Sequence, residues 1–241
     1  MFGLGTIINT GAVAAGSLLG ITLKKGIPEN CRQILMHACG VATIFIGAAG
    51  VLQKMLVIEN GEITTQGTLL LIFSLVLGSL AGELLSIESR LEHVGDFLKQ
   101  KLHAEEDSMF VEGFVTSTLV ICIGAMAIVG AIEDGLTGDY STLTAKAVLD
   151  FVIVLIFAST LGKGVLFSAL PLFFYQGAIT CFAKVFGNIM NSSLIHDISF
   201  IGSALIFCVG INIAFGKKFR PGNMLPALLG PVIYSVICTF I

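Results

Sequence analysis

The sequence predicts an all-α protein, a polytopic transmembrane helix bundle of about eight spans. Of its 241 residues, 55% are hydrophobic and only 12% are charged, about half the charged share of soluble domains. Mean hydropathy is +0.96. Apolar runs close to the ~20 residues needed to cross the hydrocarbon layer recur along the whole chain. In lipid every backbone polar group must be paired internally, so such runs are expected to be helices.

Eight apolar runs follow one another in the chain. They cover about 3–23, 38–53, 67–87, 110–131, 145–161, 164–183, 194–215 and 223–241. The first run is too long for the apolar core of a signal peptide, so we expect it to be retained as a span. Only Gly162-Lys163-Gly164 separates runs five and six, and Pro171 removes a backbone donor from run six. A broken or re-entrant helix near 162–172 is the alternative to two complete spans.

The distribution of basic residues predicts the orientation. Ten of the 13 Lys and Arg residues follow odd-numbered runs, and cytoplasmic loops carry such an excess. With eight spans, both termini then lie outside. A re-entrant sixth run would place Lys217, Lys218 and Arg220 on the opposite side, so the count favours eight.

We expect a single integral membrane domain over 1–241, with one amphipathic helix on its cytoplasmic face at about 88–107. Apolar residues such as Leu91, Val94 and Leu98 recur there at helical spacing between charged residues. A solvated connector is the simplest interpretation, and a lipid-surface helix or a regulatory contact is the alternative.

Partial internal repeats accompany the runs. Gly16-Ser17-Leu18-Leu19-Gly20, Gly78-Ser79-Leu80-Ala81-Gly82 and Ala158-Ser159-Thr160-Leu161-Gly162 end runs one, three and five. Ile46-Gly47-Ala48 in run two and Ile123-Gly124-Ala125 in run four are also similar, and each is followed by a segment predicted to be a polar loop, 59–65 and 133–139. Runs two and three therefore resemble runs four and five, and repeats often frame a transport pathway. Glycines at this spacing also allow close helix packing within one chain or in a homo-oligomer.

The sequence offers no basis for an enzyme. The six Cys and four His residues form no C-x-x-C, zinc-type or H-E-x-x-H pattern, and no G-x-S-x-G motif occurs. We therefore expect no catalytic residues, metal or cofactor. The net charge of -3, without a basic stripe, excludes nucleic acid as a partner.

Polar side chains within the runs are the candidate site, because burying them in lipid is costly unless they face the bundle interior. Asp150, early in run five with no basic residue on the next turn, is the candidate for binding a proton or cation. The alternative is a hydrated carboxylate at the outer interface. Other candidates for contacting an ion or solute are Gln176, Asn212, Ser159, Thr160, Ser168 and Asn9.

A second hypothesis concerns Glu83 and Lys163, which occupy equivalent positions after the last small residue of their repeats. An ion pair between them could act as a gate or as a structural tie. Both lie near cytoplasmic ends, where their side chains can reach water.

The stretch Lys146 to Ala183 resembles the YdfK/YqgA-like family of bacterial integral membrane proteins. The residues that carry the resemblance are Leu149-Asp150, the segment 157–171 and Tyr175-Gln176-Gly177. Gly16-Ser17-Leu18-Leu19-Gly20 and Ile27-Pro28-Glu29 are similar too, and the likeness covers essentially the whole chain. It implies a multi-pass protein of the bacterial cytoplasmic membrane, from a family of unknown function sometimes labelled as transport proteins. It implies no catalytic or binding residues.

These observations favour a secondary transporter or channel-like carrier for a small solute or ion. Asp150 would carry the coupling proton or cation, and Gln176 and Asn212 would contact the solute. The alternative is a non-transporting scaffold or regulatory protein that acts through helix contacts, with membrane lipid as its surroundings in either case.

Overall fold

The computed structural model describes residues 3–24, 28–59, 61–122, 125–183 and 192–240. Its α-helices are α1 Leu4–Lys24, α2 Glu29–Met55, α3 Thr68–Leu85, α4 Ile87–Lys101, α5 Phe110–Cys122, α6 Ala125–Thr137, α7 Ser141–Leu161, α8 Gly164–Phe167, α9 Ala169–Cys181, α10 Ser192–Phe215, α11 Pro221–Met224 and α12 Gly230–Phe240. A 3₁₀ helix, Leu225–Leu229, joins α11 to α12. The prediction of a helical membrane bundle is confirmed.

Six helices among the described residues are long and apolar enough to cross a membrane. They lie at Leu4–Leu23, Gln33–Met55, Thr68–Leu85, Ser141–Leu161, Gly164–Cys181 and Ser193–Phe215. The bent pair α5 and α6 makes seven if it counts as one span, and Pro221–Ile237 is a shorter apolar segment. The count of eight therefore stays a prediction.

A bend lies within the run at 110–131, which the sequence predicted as one span. Phe110–Cys122 and Met126–Thr137 lie at 76° to each other, so this region is a bent pair of helices, and its count as one span stays a prediction. Near 162–172 the chain reverses direction after Leu161, because α7 runs parallel to α1 and α9 runs antiparallel to it. The helix is interrupted again at Ser168. The segment from Gly164 to Cys181 nevertheless has the length and composition of a full span.

A short β-hairpin stands between α2 and α3. Strand β1 (Leu56–Glu59) pairs antiparallel with β2 (Glu62–Thr65), with Leu56 opposite Thr65. Gly61 in the turn has a φ of 85°, a conformation that glycine adopts without steric cost. This polar segment was predicted to be a loop.

The chain forms two compact units. Unit 1 comprises residues 1–39 and 91–189, and unit 2 comprises residues 40–90 and 190–241. Unit 1 therefore holds α1 and α5 to α9, whereas unit 2 holds α3 and α10 to α12. The prediction of a single integral membrane domain is not tested by this division.

In unit 1, glycines bring α1 into close contact with α7. A Cβ atom on Gly20 would lie 2.2 Å from the carbonyl oxygen of Leu155, and one on Gly16 would lie 2.6 Å from that of Phe151. Both contacts are shorter than any carbon–oxygen packing distance, so only glycine fits. Close backbone approach of this kind is the usual function of small residues between membrane helices.

In unit 2, glycines also allow close contact between helices. A Cβ atom on Gly47 would lie 2.5 Å from the backbone nitrogen of Phe207 on α10, and one on Gly78 would lie 2.3 Å from Ala227. Buried Phe200, Ile201 and Ala227 form the centre of the unit. The first two glycine motifs of the sequence are thus packing surfaces, and the proposed duplication of spans stays a prediction.

Helix α4 covers most of the segment predicted to be amphipathic, but it begins at Ile87 and ends at Lys101 rather than at 107. Gly95 is buried against Phe114 and Val111, whereas Val94 and Phe97 are exposed. The apolar residues that defined the predicted face are therefore only partly covered. Its position on the cytoplasmic side stays a prediction.

Asp139, in the loop before α7, makes the stability of the folded protein depend on pH. The Oδ1 atom of Asp139 accepts a hydrogen bond from the backbone N–H of Ser141 at 2.9 Å. This bond lowers the pKa of the Asp139 carboxyl below its ordinary value. The ionised Asp139 carboxyl therefore stabilises the folded protein at pH values above about 3.9, its pKa in the unfolded chain. This stabilisation is lost as the pH falls through the lower pKa that Asp139 has in the folded protein.

We expect the thermal midpoint of Asp139→Asn to differ from that of the parent by a constant amount above pH 5. Because protonation removes the charge in the parent too, that difference should shrink as the pH falls well below 4. Thermal scans of both proteins in detergent across pH measure it. A difference that grows toward low pH would contradict the assignment.

Candidate functional site

Unit 1 contains a group of polar side chains that are almost completely buried. We call it the polar cluster, and every member is at most 5% exposed. It is built from α1, α6, α7 and α9. Its members are Thr6, Asn9, Asp134, Lys146, Asp150, Gln176 and Thr180.

Helix α7 contributes an ion pair to the cluster. Nζ of Lys146 donates to Oδ2 of Asp150, one turn later on the same helix. Lys146 was predicted to lie in the loop before run five, and Asp150 was predicted to have no basic partner on the following turn. The placement of Lys146 in a loop was wrong, because α7 begins at Ser141 and Lys146 is buried on the preceding turn. The spacing of four residues was the available signal.

Helices α1 and α9 run antiparallel and are joined by two polar contacts. Nδ2 of Asn9 donates to Oε1 of Gln176 at 3.3 Å, and the hydroxyl oxygens of Thr6 and Thr180 lie 3.3 Å apart. The side chain of Asn9 also lies close to the Asp150 carboxylate. Three of the predicted residues, Asn9, Asp150 and Gln176, are therefore brought together.

Asp134 is a member that the sequence analysis missed. It lies on α6, it is 0% exposed, and its Oδ2 atom accepts a hydrogen bond from the backbone N–H of Gly5 at 3.0 Å. The carboxylate thereby caps the N-terminus of α1, where the helix dipole favours negative charge. Its polar neighbours in the sequence had suggested a loop.

Three buried atoms of the cluster have no hydrogen-bond partner among the described residues. They are Oδ1 of Asn9, Nε2 of Gln176 and Oδ1 of Asp134. Leaving a buried polar atom unpaired costs about 1–3 kcal/mol. Two acceptors and one donor, beside a fixed positive and a fixed negative charge, form a set that can bind a small polar molecule or ion.

Ser159, Thr160 and Ser168 are buried in unit 1 as predicted, but their hydroxyl groups already have partners. Ser159 donates to the Ile156 carbonyl at 2.7 Å, and Ser168 donates to the Val165 carbonyl at 2.7 Å. Thr160 bonds to carbonyls of the preceding turn as well. Their contribution to binding stays a prediction.

Asn212 belongs to unit 2, where its amide organises the turn after α10. Its Oδ1 accepts from the backbone N–H groups of Lys218 and Phe219 at 2.8 and 2.9 Å. Its Nδ2 donates to the Phe219 carbonyl at 2.9 Å. The amide thus already serves a structural function, and contact with a solute stays a prediction.

Glu83, proposed for a gate, lies at the centre of a polar network in unit 2. Its Oε1 accepts from Arg220 and its Oε2 from Asn223, each at 2.6 Å. Asn223 also accepts from the backbone N–H of Glu88 at 2.7 Å. The charge of Glu83 is therefore compensated within unit 2.

Lys163, the predicted partner of Glu83, lies in unit 1. Its side chain is exposed, and its backbone N–H donates to Oδ2 of Asp107 at 2.9 Å. The gate pair of Glu83 with Lys163 stays a prediction.

Unit 2 also contains an apolar groove of about 950 Å³. Leu69, Phe73 and Ile233 are among its lining residues. The charged residues at the groove, Lys54 and Asp197, form an ion pair at 2.9 Å. The groove therefore differs from the polar cluster, because its charges compensate each other and its wall is mainly hydrocarbon.

No group of three or more His, Cys, Asp or Glu side chains that could hold a metal ion occurs within the described ranges.

Comparison with known proteins places the chain in a family. A family model described as "Protein of unknown function (DUF554)" matches residues 4–236. The chain is 37% identical over 238 residues to "Uncharacterized membrane protein YdfK" of Bacillus subtilis (strain 168), covering 98% of this chain and 97% of the relative. It is 29% identical over 230 residues to "Uncharacterized protein YqgA" of Escherichia coli (strain K12), covering 94% of this chain and 93% of the relative. No solved structure matches. The chain is a multi-pass helical membrane protein that belongs to the DUF554 family.

Proposed function

We propose that this protein is a secondary transporter or channel-like carrier of a small polar solute or ion across the bacterial cytoplasmic membrane. The observation that supports the proposal is the polar cluster, with its unpaired buried atoms on Asn9, Gln176 and Asp134. Polar and charged groups inside membrane helices are rare and usually line a substrate or ion pathway.

The cluster offers complementary groups to a small ligand. Lys146 supplies a cation and Asp150 an anion, while the amides of Asn9 and Gln176 supply one free acceptor and one free donor. A ligand that pairs these atoms would provide the hydrogen bonds that they do not form with the described residues. A small solute with both donors and acceptors fits this set better than a purely apolar one.

The basic residues support an orientation with both termini outside. Ten of the 13 Lys and Arg residues would lie on the cytoplasmic side if both termini were outside. Because Lys146 is buried in α7, it no longer counts as an external loop charge. The excess on the cytoplasmic side is therefore larger than the sequence alone suggested.

Counterflow in proteoliposomes tests the proposal. Vesicles loaded with unlabelled amino acids, organic acids, sugars or nucleosides receive the same labelled compound outside, and uptake is measured. We expect the parent protein to exchange at least one of these compounds. Gln176→Leu should lower that exchange about tenfold or more, because the buried donor is lost.

Gln53→Leu is the matched control, since Gln53 is exposed on α2 and its replacement should leave exchange unchanged. Thermal scans show whether each variant is folded. A folded parent protein that exchanges none of the compounds would favour the alternative, a scaffold that acts through helix contacts. Equal exchange by Gln176→Leu and the parent would remove the polar cluster from the pathway.

A further inference from the structure

Helices α1, α6 and α9 meet at one point of unit 1, and each pair of them is in direct contact there. The N–H of Gly5 on α1 donates to Asp134 on α6. The hydroxyls of Thr6 and Thr180 join α1 to α9. A Cβ atom on Gly135, next to Asp134, would lie 2.5 Å from the Thr180 carbonyl oxygen, so α6 and α9 touch as well. Asp134, Thr6 and Thr180 therefore surround a common junction.

The negative charge of Asp134 at this junction is not fully compensated. Asp134 is 0% exposed, and among the described residues no Lys or Arg forms an ion pair with it. The N-terminus of α1 supplies only about half a positive charge to its Oδ2 atom. Oδ1 has no partner. A carboxylate removed from water needs a counter-charge, and Asp150 shows the contrast, because Lys146 compensates it.

We propose that the junction binds a monovalent cation, Na⁺, through Oδ1 of Asp134 and the hydroxyl oxygens of Thr6 and Thr180. Oxygen atoms are the ligands that hard cations prefer. One uncompensated carboxylate matches one positive charge, and the described residues hold no larger acidic or imidazole group that would suit a divalent metal. The inference rests on the proposed function and assigns the coupling ion to Asp134 rather than to Asp150.

Thermal stability of the detergent-purified protein in NaCl, LiCl, KCl and choline chloride, at equal ionic strength and fixed pH, tests this site. Because a ligand that binds only the folded state stabilises it by mass action, the parent midpoint should rise saturably with Na⁺ and stay constant in choline. Asp134→Asn should abolish the rise. Thr180→Val, which removes one oxygen ligand, should weaken the response about tenfold.

Glu133→Gln is the matched control. This neighbouring carboxylate lies on the same helix and hydrogen-bonds Thr142 at 2.7 Å, so its replacement should leave the Na⁺ response unchanged. Binding of ²²Na⁺ to the parent and to Thr180→Val provides a second measurement that does not require Asp134→Asn to fold.

Equal midpoints in all four salts would overturn the proposal, and so would an unchanged Na⁺ response in Asp134→Asn or in Thr180→Val. The counterflow experiment separates this result from the proposed function. Solute exchange without a Na⁺ response would remove only the cation site. Na⁺ binding without exchange of any solute would retain the cation site and remove the solute carrier.

Discussion

Lys146→Met is expected to destabilise the protein by about 3–5 kcal/mol, the usual cost of removing one partner from a buried ion pair. Lys146 and Asp150 are 5% and 4% exposed, and their charged groups bond to each other. Methionine retains the volume of the lysine stem but leaves the Asp150 carboxylate without its counter-charge. Reversible unfolding in mixed detergent measures the loss of stability.

The double variant Lys146→Met/Asp150→Leu separates charge compensation from packing. Because it removes both charges, it should recover much of the stability that the single variant loses. Lys163→Met is the control for the loss of a lysine, since that side chain is exposed, and it should stay within about 0.5 kcal/mol of the parent. A Lys146→Met protein as stable as Lys163→Met would mean that Lys146 reaches water.

Gly20→Ala is the second variant with a large expected effect. The added methyl group would lie 2.2 Å from the Leu155 carbonyl oxygen and 2.8 Å from the Ala158 side chain. Since two helix backbones would have to separate, we expect a loss of about 1–3 kcal/mol. Thermal and denaturant unfolding of the purified variant measure this loss.

Gly11→Ala is a matched control on the same helix. No atom lies within 4 Å of a Cβ at Gly11, and alanine is the better helix former by up to about 1 kcal/mol. This variant should therefore be as stable as the parent or more stable. Equal effects of the two substitutions would show that the contact between α1 and α7 does not depend on Gly20.

The membrane-spanning helices were predictable because the cost of placing backbone and charge in lipid depends on local composition. The runs at 67–87 and 194–215 were expected, and α3 and α10 occupy Thr68–Leu85 and Ser192–Phe215. The change of direction between α5 and α6 was not expected, because the run at 110–131 is mainly apolar. Hydropathy contains no information about a bend.

The candidate site was predictable in part. Asn9, Asp150 and Gln176 were singled out because polar side chains are unusual in apolar runs, and the structure brings all three together. Asp134 was missed because Gly135 and Asp139 near it suggested a loop. Only the fold shows that α1 begins beside it.

The sequence by itself determined the fold class, the approximate helix positions and the glycines that allow close packing, because each depends on properties of a single segment. The tertiary structure alone decided which polar atoms find partners. Lys146 compensates Asp150, and Glu83 pairs with Arg220 and Asn223. Asp134 retains one unpaired oxygen. Pairing of polar groups requires contact between helices distant in the chain, and no local pattern of residues encodes that contact.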